Sequence, residues 1–416
     1  MLIVGASVRA AAYSAWRAGL QPWSADLFGD RDLRVASARA GTPCRRVQRY
    51  PHDFLDISRQ GPAGPWMYTG ALENHPHVVA EISRLRPLWG NSPEVLAKVR
   101  DPFLVAQALA EEGLPHPEVR PSADDLPRDG TWLIKPLHSA GGAGIRVLLP
   151  TTRLSIPAVE CCVGDRGRHG RLPRPYYLQQ FVDGLPCSAL YLAAGGQALL
   201  LGVTRQLVGE AAFHARTFTY CGSIGPLNLQ RQIVERFGKL GRVLARRFGL
   251  IGLFGVDCVL RDGHPFPVEI NPRWTASVEV LEYALGFCAM QLHADACRGR
   301  LADPLTHQFL LPATRRLADP PPRVPCVGKA ILYADNDRIA PEPHAWFKAF
   351  SGEPFSARQP PDPTPMPPVA DIPFAGQRLL RGRPVMTLLV RGESVEGCIT
   401  MLQDRSAAAL EMCSPP

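Results

Sequence analysis

Three oxygen-bearing side chains in the segment GVDCVLRDGHPFPVEINPR could hold a divalent cation. Glu269 and Asn271 are two positions apart on a predicted strand, so their side chains share one face of a sheet. Asp257 lies on the preceding predicted strand, and the Asp262-Gly263 pair between the strands is typical of a tight hairpin. Carboxylate and amide oxygens suit Mg²⁺ or Mn²⁺. The spacing therefore predicts a metal site made by Asp257, Glu269 and Asn271.

The register of this hairpin decides whether the two carboxylates meet. A two-residue turn at Asp262-Gly263 would leave Asp257 one step out of register with Glu269, whereas a longer loop or a bulge would place them opposite each other. The alternative is that these are solvated polar residues on an exposed strand. Apolar residues on both sides of Asp257 argue against it, because burying a lone carboxylate among them is costly without a cation.

A lysine precedes a glycine-rich turn in the segment LIKPLHSAGGAGIRV. Glycines let the backbone approach a ligand closely, and the N–H groups of such a loop can surround phosphate oxygens. Lys135 would add a positive charge beside the α- or β-phosphate of a nucleotide. The segment lacks the Gly-Lys-Ser/Thr of a P-loop and leads into a strand. A glycine-rich hairpin with an exposed lysine is the alternative.

Two further elements connect these features. The sequence predicts a short strand from 177 to 182, whose backbone could meet the edge of an adenine base, although the pattern alone indicates only a strand. Apolar periodicity predicts a helix from 230 to 248, and a second helix is expected from about 278 to 296.

Taken in order, Lys135 with its glycine loop, the short strand, and the D…E-x-N set followed by Pro272-Arg273 resemble the ATP-grasp superfamily of carboxylate–amine ligases. The segments GASVRAAAYSAWRAGL and YTGALENHP are similar to the N-terminal domain of that superfamily. The resemblance covers roughly residues 1–300 and implies an α/β protein with the ATP-grasp fold. It implies a parallel α/β domain over 1–100 and two α+β subdomains, 101–182 and 183–315, that clasp ATP.

The end of the chain carries a second resemblance. The segments GKAILYAD and ADIPFAGQRLLRGRPVMTLLVRGES are similar to the C-terminal domain of biotin-carboxylase-like enzymes, which implies a small β-rich domain over 326–416. No Met-Lys dipeptide is present, so this chain contains no biotin-bearing segment.

The resemblance implies a role for each matching residue. Lys135 and Arg273 would be the catalytic cations, and Arg273 would neutralise a phosphate or the acyl-phosphate intermediate. The set Asp257, Glu269 and Asn271 would hold Mg²⁺ or Mn²⁺, with Glu269 bridging two ions. The implied ATP-binding residues are Lys98, Lys135, Ser139, Gly141, Gly142, Gly144, Gln179, Gln180, Phe181 and Val182.

The sequence departs from the family pattern in three places. Many members have a lysine after an aspartate where this chain has Asp101-Pro102, and Lys98, about one helical turn earlier, is the candidate substitute. The strand that would line adenine has Gln179-Gln180 where an acid is usual. Leu185-Pro186 occupies the neighbourhood of the usual ribose-binding acid.

Length and composition agree with a globular enzyme of several domains. The chain has 416 residues, of which 46% are hydrophobic and 20% charged, and this excludes a disordered chain. The net charge of +8 is spread along the sequence, and no apolar run reaches the ~20 residues that span a bilayer, so we expect neither nucleic acid nor a membrane as a partner. The N-terminus is predicted to be a strand and not a signal peptide. Eleven cysteines without a C-x-x-C pair predict reduced thiols in the cytoplasm.

We therefore expect an ATP- and Mg-dependent ligase that phosphorylates a small-molecule carboxylate and couples it to an amine, with glutamate ligation in cofactor biosynthesis as one candidate. Biotin-carboxylase-like carboxylation and a nucleotide-binding module without turnover are the alternatives, and a homodimer is left open. The pairs Glu73-Asn74 and Arg205-Gln206 lie near apolar strands and could meet a substrate, or could be helix caps and surface residues.

Overall fold

The computed structural model describes residues 1–152, 176–301, 324–351 and 365–415. The first hundred residues alternate short strands with helices, the order that produces a parallel sheet. These elements are β1 (Leu2–Gly5), α1 (Arg9–Arg17), β2 (Trp23–Asp26), α2 (Arg31–Arg39), β3 (Cys44–Arg46), α3 (Asp53–Gln60), β4 (Trp66–Tyr68) and α4 (Pro76–Leu85). The strands pair in parallel in the order β3-β2-β1-β4, and a 3₁₀ turn, Leu72–Asn74, follows β4.

Two helices, α5 (Pro93–Val99) and α6 (Pro102–Glu111), lead from this domain to a small antiparallel sheet. Both begin with proline after a capping side chain: Ser92 Oγ accepts the N–H of Val95, and Asp101 accepts those of Phe103 and Leu104. The sheet contains β5 (Val119–Arg120), β6 (Trp132–Pro136), β7 (Arg146–Val147) and β8 (Tyr176–Gln180). Its strand order is β5-β8-β6-β7, so β6, which contains Lys135, lies directly beside β8, the strand predicted to line adenine.

The largest sheet has eight strands and occupies the rest of the chain. Its strands are β9 (Leu185–Ala194), β10 (Gln197–Val208), β11 (Tyr220–Gly225), β12 (Gly252–Arg261), β13 (His264–Asn271), β14 (Cys326–Tyr333), β16 (Val369–Ala370) and β18 (Pro384–Gly392). A separate two-stranded sheet joins β15 (Arg338–Ile339) to β17 (Arg378–Leu379). The helices here are α7 (Arg231–Phe248), α8 (Ala276–Leu285), α9 (Ala289–Cys297), α10 (Pro343–Ser351) and α11 (Val395–Glu411), with a 3₁₀ turn at Ala211–Phe213.

The large sheet runs without a break across the boundary drawn from the sequence. Its order is β13-β12-β9-β10-β11-β14-β18-β16, so β11 of the central region pairs directly with β14 of the C-terminal region. The β-rich C-terminal region is thus a continuation of the central sheet. The proposed end of the central subdomain at 315 falls outside the described residues.

The hairpin β12–β13 combines the two arrangements considered from the sequence. It has the tight two-residue turn, because Arg261 pairs with His264 while Asp262 and Gly263 adopt positive φ angles of 51° and 73°. It also has a bulge, because the register shifts between Asp257 and Cys258.

The helix expected from about 278 to 296 is two helices in the structure. Helix α8 ends at Leu285, the following Gly286 adopts a left-handed conformation with φ of 75°, and α9 begins at Ala289. Glycine favours this conformation at the end of a helix because it has no Cβ. Among the helices of the described residues, none is both long and apolar enough to cross a membrane.

A buried ion network joins the three regions of the chain. Arg9 of α1 donates hydrogen bonds to both carboxylate oxygens of Glu279 on α8, and to Asp371 in the C-terminal region. Lys329 of β14 donates to Glu279 Oε2 at 2.7 Å. Burial would raise the pKa of Glu279, but Arg9 and Lys329 outweigh it and lower that pKa. The Glu279 contribution to stability is therefore present above its unfolded pKa and is lost only as the pH falls through the lowered folded value.

We predict that Glu279→Gln lowers the free energy of unfolding by about 3–5 kcal/mol, because it leaves two buried cations without their shared carboxylate. Glu235→Gln is the matched control, since Glu235 pairs with Arg231 on the solvent-exposed face of α7. The control should cost less than about 1 kcal/mol. Urea denaturation at neutral pH measures both values, and equal losses would contradict the assignment of the network.

Candidate active site

A cavity of about 480 Å³ lies between the small antiparallel sheet and the large sheet. Eleven of the predicted site residues lie in its wall: Lys135, Gly141, Gly142, Gln179, Gln180, Phe181, Val182, Asp257, Glu269, Asn271 and Arg273. Ser139 lines a smaller neighbouring cavity of about 60 Å³, which shares Lys135 and Glu269 with the large one. Gly144 and Lys98 line neither of these two cavities. Residues from four separate segments thus converge on one space.

The bulge in the β12–β13 hairpin brings the candidate metal ligands together. Beyond it, Asp257 pairs with Glu269 directly across the hairpin, and Val268 is the extra residue. Asn271 Nδ2 donates to Asp257 Oδ2 at 3.0 Å, and Gln206 Nε2 donates to Asp257 Oδ1 at 2.8 Å. Gln206, from the pair Arg205-Gln206 noted in the sequence, therefore lies at the site.

The electrostatics of this set favour a cation. Burial raises the pKa of Asp257 to about 6, and the negative charge of Glu269 adds to that shift. Burial would also raise the pKa of Glu269, but Arg100 and Lys135 outweigh it and the pKa is lowered. Two facing carboxylates and an amide oxygen fit a hard divalent cation such as Mg²⁺. Within the described residues no group of three His, Cys, Asp or Glu side chains is arranged to hold a metal ion, and this candidate site instead combines two carboxylates with the amide of Asn271.

Lys135 is held at the cavity wall by the same bulge. Its Nζ donates to the carbonyl oxygen of Val268 at 3.0 Å and to Gln179 Oε1 at 3.0 Å. The residue is 8% exposed, and its ammonium lies 5.8 Å from the ring centre of Tyr177. The lysine is thus fixed near the two carboxylates, in a position from which it can meet an anionic ligand in the cavity.

The glycine-rich loop is folded over the cavity in this structure. The N–H of Tyr220, at the start of β11, donates to the carbonyl of Gly141 at 3.2 Å. Gly142 has a φ of 80°, and a Cβ there would lie 1.8 Å from the carbonyl oxygen of Phe218. Only glycine allows this close approach, so the loop bridges the two sheets at this residue.

The segment after β8 forms another side of the cavity. The N–H of Phe181 donates to the carbonyl of Thr131 at 2.8 Å, and the Phe181 side chain is 46% exposed. Strand β8 ends at Gln180, so Phe181 and Val182 lie beyond the strand predicted for them. Asp183, which follows directly, also lines the cavity. The sequence interpretation missed this acid, although its position next to Val182 could have identified it.

Lys98 lies on the exposed face of α5, and Arg100 lies at the site instead. Arg100 Nη1 donates to Glu269 Oε1 at 2.5 Å, and its side chain is 11% exposed. Helix geometry explains the difference, because residues two apart on a helix point in different directions. Arg100 immediately precedes the capping residue Asp101, and this adjacency is the signal that the sequence interpretation overlooked.

Arg273 is held beside Asn271, the amide among the metal candidates. Its Nη2 donates to Asn271 Oδ1 at 3.0 Å, and its Nη1 donates to the carbonyl of Trp274 at 3.0 Å. Its guanidinium also forms an ion pair with Glu73, whose side chain is 1% exposed. Two arginines, Arg100 and Arg273, therefore contact the candidate ligands Glu269 and Asn271.

Comparisons with known proteins identify the domain that contains most of these residues. Residues 99–277 match the family of the ATP-grasp domain. The chain is 26% identical over 239 residues to the carbamoyl phosphate synthase large chain of Streptomyces coelicolor, and the match covers 55% of this chain and 20% of the synthase. The large chain from Beutenbergia cavernae is 25% identical over 213 residues, 48% of this chain and 19% of that protein. The chain thus spans about a fifth of the length of these relatives.

Solved structures extend the similarity of the fold over nearly the whole chain. The L-amino acid ligase of Bacillus licheniformis superimposes with a TM-score of 0.64 at 15% identity, covering 98% of this chain and 96% of the ligase. The biotin carboxylase domain of the Hydrogenobacter thermophilus 2-oxoglutarate carboxylase was solved with MgADP and bicarbonate. It superimposes with a TM-score of 0.66 at 13% identity, covering 99% of this chain and 90% of that domain. The expected α/β ATP-grasp fold is confirmed, including the region that resembles biotin carboxylase.

We predict that Gly142→Ala weakens the binding of ATP about tenfold or more, because the added methyl group forces the glycine loop away from Phe218. Gly141→Ala is the control, since it has a similar φ of 61° but open space around the new Cβ. Both variants carry the conformational cost of a positive φ, so their difference isolates the contact. Titration with a fluorescent ATP analogue measures both affinities, and equal affinities would show that closure does not depend on this contact.

Proposed function

We propose that this chain, which belongs to the ATP-grasp superfamily, is an ATP- and Mg-dependent ligase that activates a substrate carboxylate and couples it to an amine. The observation that carries the proposal is the pair of facing carboxylates, Asp257 and Glu269, in a cavity wall that also contains Lys135 and Arg273. Phosphoryl transfer needs charge neutralisation and alignment more than it needs an enzyme nucleophile. This set of charges meets that need.

In the proposed reaction, a carboxylate oxygen of the substrate attacks the γ-phosphorus of ATP, and the bond from that phosphorus to the bridging oxygen of ADP breaks. An amine nitrogen then attacks the carbonyl carbon of the acyl phosphate. The carbon–oxygen bond to phosphate breaks, and the nitrogen loses a proton to give the amide. The products are the amide, ADP and inorganic phosphate.

The charged residues have separate parts in this scheme. Asp257, Glu269 and Asn271 would hold Mg²⁺ (or Mn²⁺), which when bound would neutralise phosphate charge. Lys135 would bind nucleotide phosphate, since its ammonium is fixed at the wall by Val268 and Gln179. Arg273 would neutralise the transferred phosphoryl group and the acyl phosphate.

The remaining contacts would bind the nucleotide. The segment from Gln179 to Val182 would line adenine, and the loop from Ser139 to Gly144 would close over the phosphates. We assign the second phosphate-side cation to Arg100 in place of Lys98, because Arg100 faces Glu269 and Lys98 faces solvent. Asp183 is the acid nearest in sequence to the adenine segment, and a ribose hydroxyl could donate to it.

The substrates would be small molecules, with glutamate ligation to an amine in cofactor biosynthesis as the narrower candidate. Nine cysteines of the described residues are free thiols, which is consistent with a reducing compartment such as the cytoplasm. A bicarbonate-dependent carboxylation is the second candidate. It is favoured by the fold similarity to a biotin carboxylase domain over 99% of this chain. A nucleotide-binding module without turnover is less favoured, because the acidic and basic residues of the cavity form a complete set.

We predict that the chain sustains ADP release from ATP over many turnovers only when Mg²⁺, a carboxylic acid and an amine are all present, because the acyl phosphate must be consumed before the next turnover. A panel of amino acids, amines and bicarbonate, assayed for ADP and for the amide product, tests this. Release that depends on the amine supports the ligase, release that depends on bicarbonate supports the carboxylase, and ATP binding without release supports the binding module.

Glu269→Gln should abolish ADP release, because the variant keeps the shape of the side chain and loses the charge that would hold the metal. The control Glu235→Gln, on the exposed face of α7, should release ADP at the normal rate. Circular dichroism establishes that both variants are folded. Undiminished turnover by Glu269→Gln would remove the metal assignment and with it the proposed mechanism.

A further inference from the structure

The 3₁₀ turn Leu72–Asn74 places two consecutive polar side chains against the two arginines of the active site. Glu73 Oε1 accepts hydrogen bonds from Arg273 Nε at 2.9 Å and from Arg273 Nη2 at 2.7 Å. Asn74 Oδ1 accepts one from Arg100 Nη2 at 3.0 Å. A single turn of the N-terminal domain thus contacts both guanidinium groups.

Each arginine continues from this turn to a different candidate metal ligand. Arg273 donates to Asn271 Oδ1 at 3.0 Å, and Arg100 donates to Glu269 Oε1 at 2.5 Å. Two separate chains of contacts therefore run from this turn to β13. One ends at Asn271 and the other at Glu269, the two candidate metal ligands on that strand.

The second chain of contacts also includes the glycine-rich loop. Asn74 Nδ2 donates to the carbonyl of Ser139 at 3.1 Å, at the start of the loop. Arg100 Nη2 lies 3.4 Å from the carbonyls of Leu137 and Ser139. The Asn74 amide thus connects Arg100 to the segment that would close over the phosphates.

The turn itself is held rigidly at the end of β4. The N–H of Ala6 donates to the carbonyl of Gly70 at 3.2 Å, and Thr69 Oγ1 donates to the carbonyl of Ser7 at 2.9 Å. Ala71 has a φ of 75°, a conformation that a residue with a Cβ adopts only where its surroundings enforce it. The loops that follow β1 and β4 therefore fix the direction in which Glu73 and Asn74 point.

We propose that Glu73 and Asn74 are positioning residues for the two arginines. Glu73 fixes Arg273 against Asn271, and Asn74 fixes Arg100 against Glu269 and the glycine loop. The inference rests on the proposed ligase function, in which both arginines face phosphate groups. A long arginine side chain loses much rotamer freedom when it is held in one geometry, and a second partner establishes that geometry before the ligand arrives.

The alternative is that these contacts only hold two domains together, and Asn91 provides the matched control. Asn91 also crosses from the N-terminal domain to the central region, where Nδ2 donates to the carbonyl of Pro272 at 2.9 Å. Its Oδ1 accepts the N–H of Ile251 at 2.9 Å, and the residue is 1% exposed. Asn91 makes comparable hydrogen bonds between the two regions. Within the described residues its side chain makes no hydrogen bond to Arg100 or Arg273.

The experiment compares the full-length variants Asn74→Ala, Glu73→Gln and Asn91→Ala with the wild type. Calorimetry measures the Kd of ATP in the presence of Mg²⁺, and the ADP-release assay measures kcat and the KM for ATP. Because each arginine faces a different part of the site, we expect one variant to change mainly the affinity for ATP and the other to change mainly kcat. Asn74→Ala raises the Kd and KM for ATP about tenfold, and Glu73→Gln lowers kcat by about 10- to 100-fold with the KM for ATP within about twofold. Asn91→Ala lowers the melting temperature but leaves all three constants within about twofold of the wild type.

Two further variants distinguish orientation from stability. Asn74→Asp keeps the acceptor for Arg100 but loses the N–H that Asn74 donates to Ser139, so it should recover only part of the affinity that Asn74→Ala loses. Adding Glu73→Gln to Arg273→Lys should lower kcat little beyond Arg273→Lys alone, because both substitutions act through one guanidinium. Additive losses would contradict the proposed coupling of Glu73 to Arg273.

The outcomes separate this inference from the ligase proposal. If the wild type releases ADP and both Asn74→Ala and Glu73→Gln behave like Asn91→Ala, the positioning roles are wrong and the ligase stands. If the wild type binds ATP but releases no ADP with any substrate, the ligase proposal fails. The Kd of Asn74→Ala then decides the positioning claim alone: an increase supports it, and an unchanged value overturns it.

Discussion

The site depends on two carboxylates that face each other inside a cavity. Asp257 and Glu269 are directly opposite on one hairpin, and burial already raises the pKa of Asp257 to about 6. Two negative charges that face each other across a hairpin, and are partly shielded from water, are costly unless a cation lies beside them. Lys135, Arg100 and Arg273 provide part of that compensation, and a divalent cation would provide the rest.

The bulge at Val268 connects this electrostatic requirement to the backbone. It shifts the register by one residue, which turns Glu269 toward the same side as Asp257. It also makes the Val268 carbonyl available to Lys135, whose Nζ donates a hydrogen bond to that carbonyl at 3.0 Å. One local irregularity thus pairs the two carboxylates and provides a hydrogen-bond acceptor for Lys135. The N-terminal domain contacts the other two cations, Arg100 and Arg273. The Glu279 network holds α8 against both terminal regions, and the first residues of α8 line the cavity.

Much of this could be predicted from the sequence, because the important patterns are local. The Asp-Gly turn, the E-x-N spacing and the glycine-rich loop each depend on residues that are close in the chain. The bulge was harder to predict, since the Asp-Gly turn determines the register only next to the turn and the shift lies further along the hairpin. The division of the helix expected near 278–296 follows from Gly286, but glycine within a helical pattern does not by itself decide between a break and continuation. Arg100 and Asp183 were missed because their roles depend on where the ends of α5 and β8 point.

The most direct test of the central claim is a crystal structure of the protein grown with Mn²⁺ and a non-hydrolysable ATP analogue, because manganese can be located by its anomalous scattering. The account predicts at least one manganese peak in contact with oxygens of Asp257, Glu269 and Asn271 and with the phosphates of the analogue. A structure in which the nucleotide occupies the cavity while these three side chains bind no metal would contradict it.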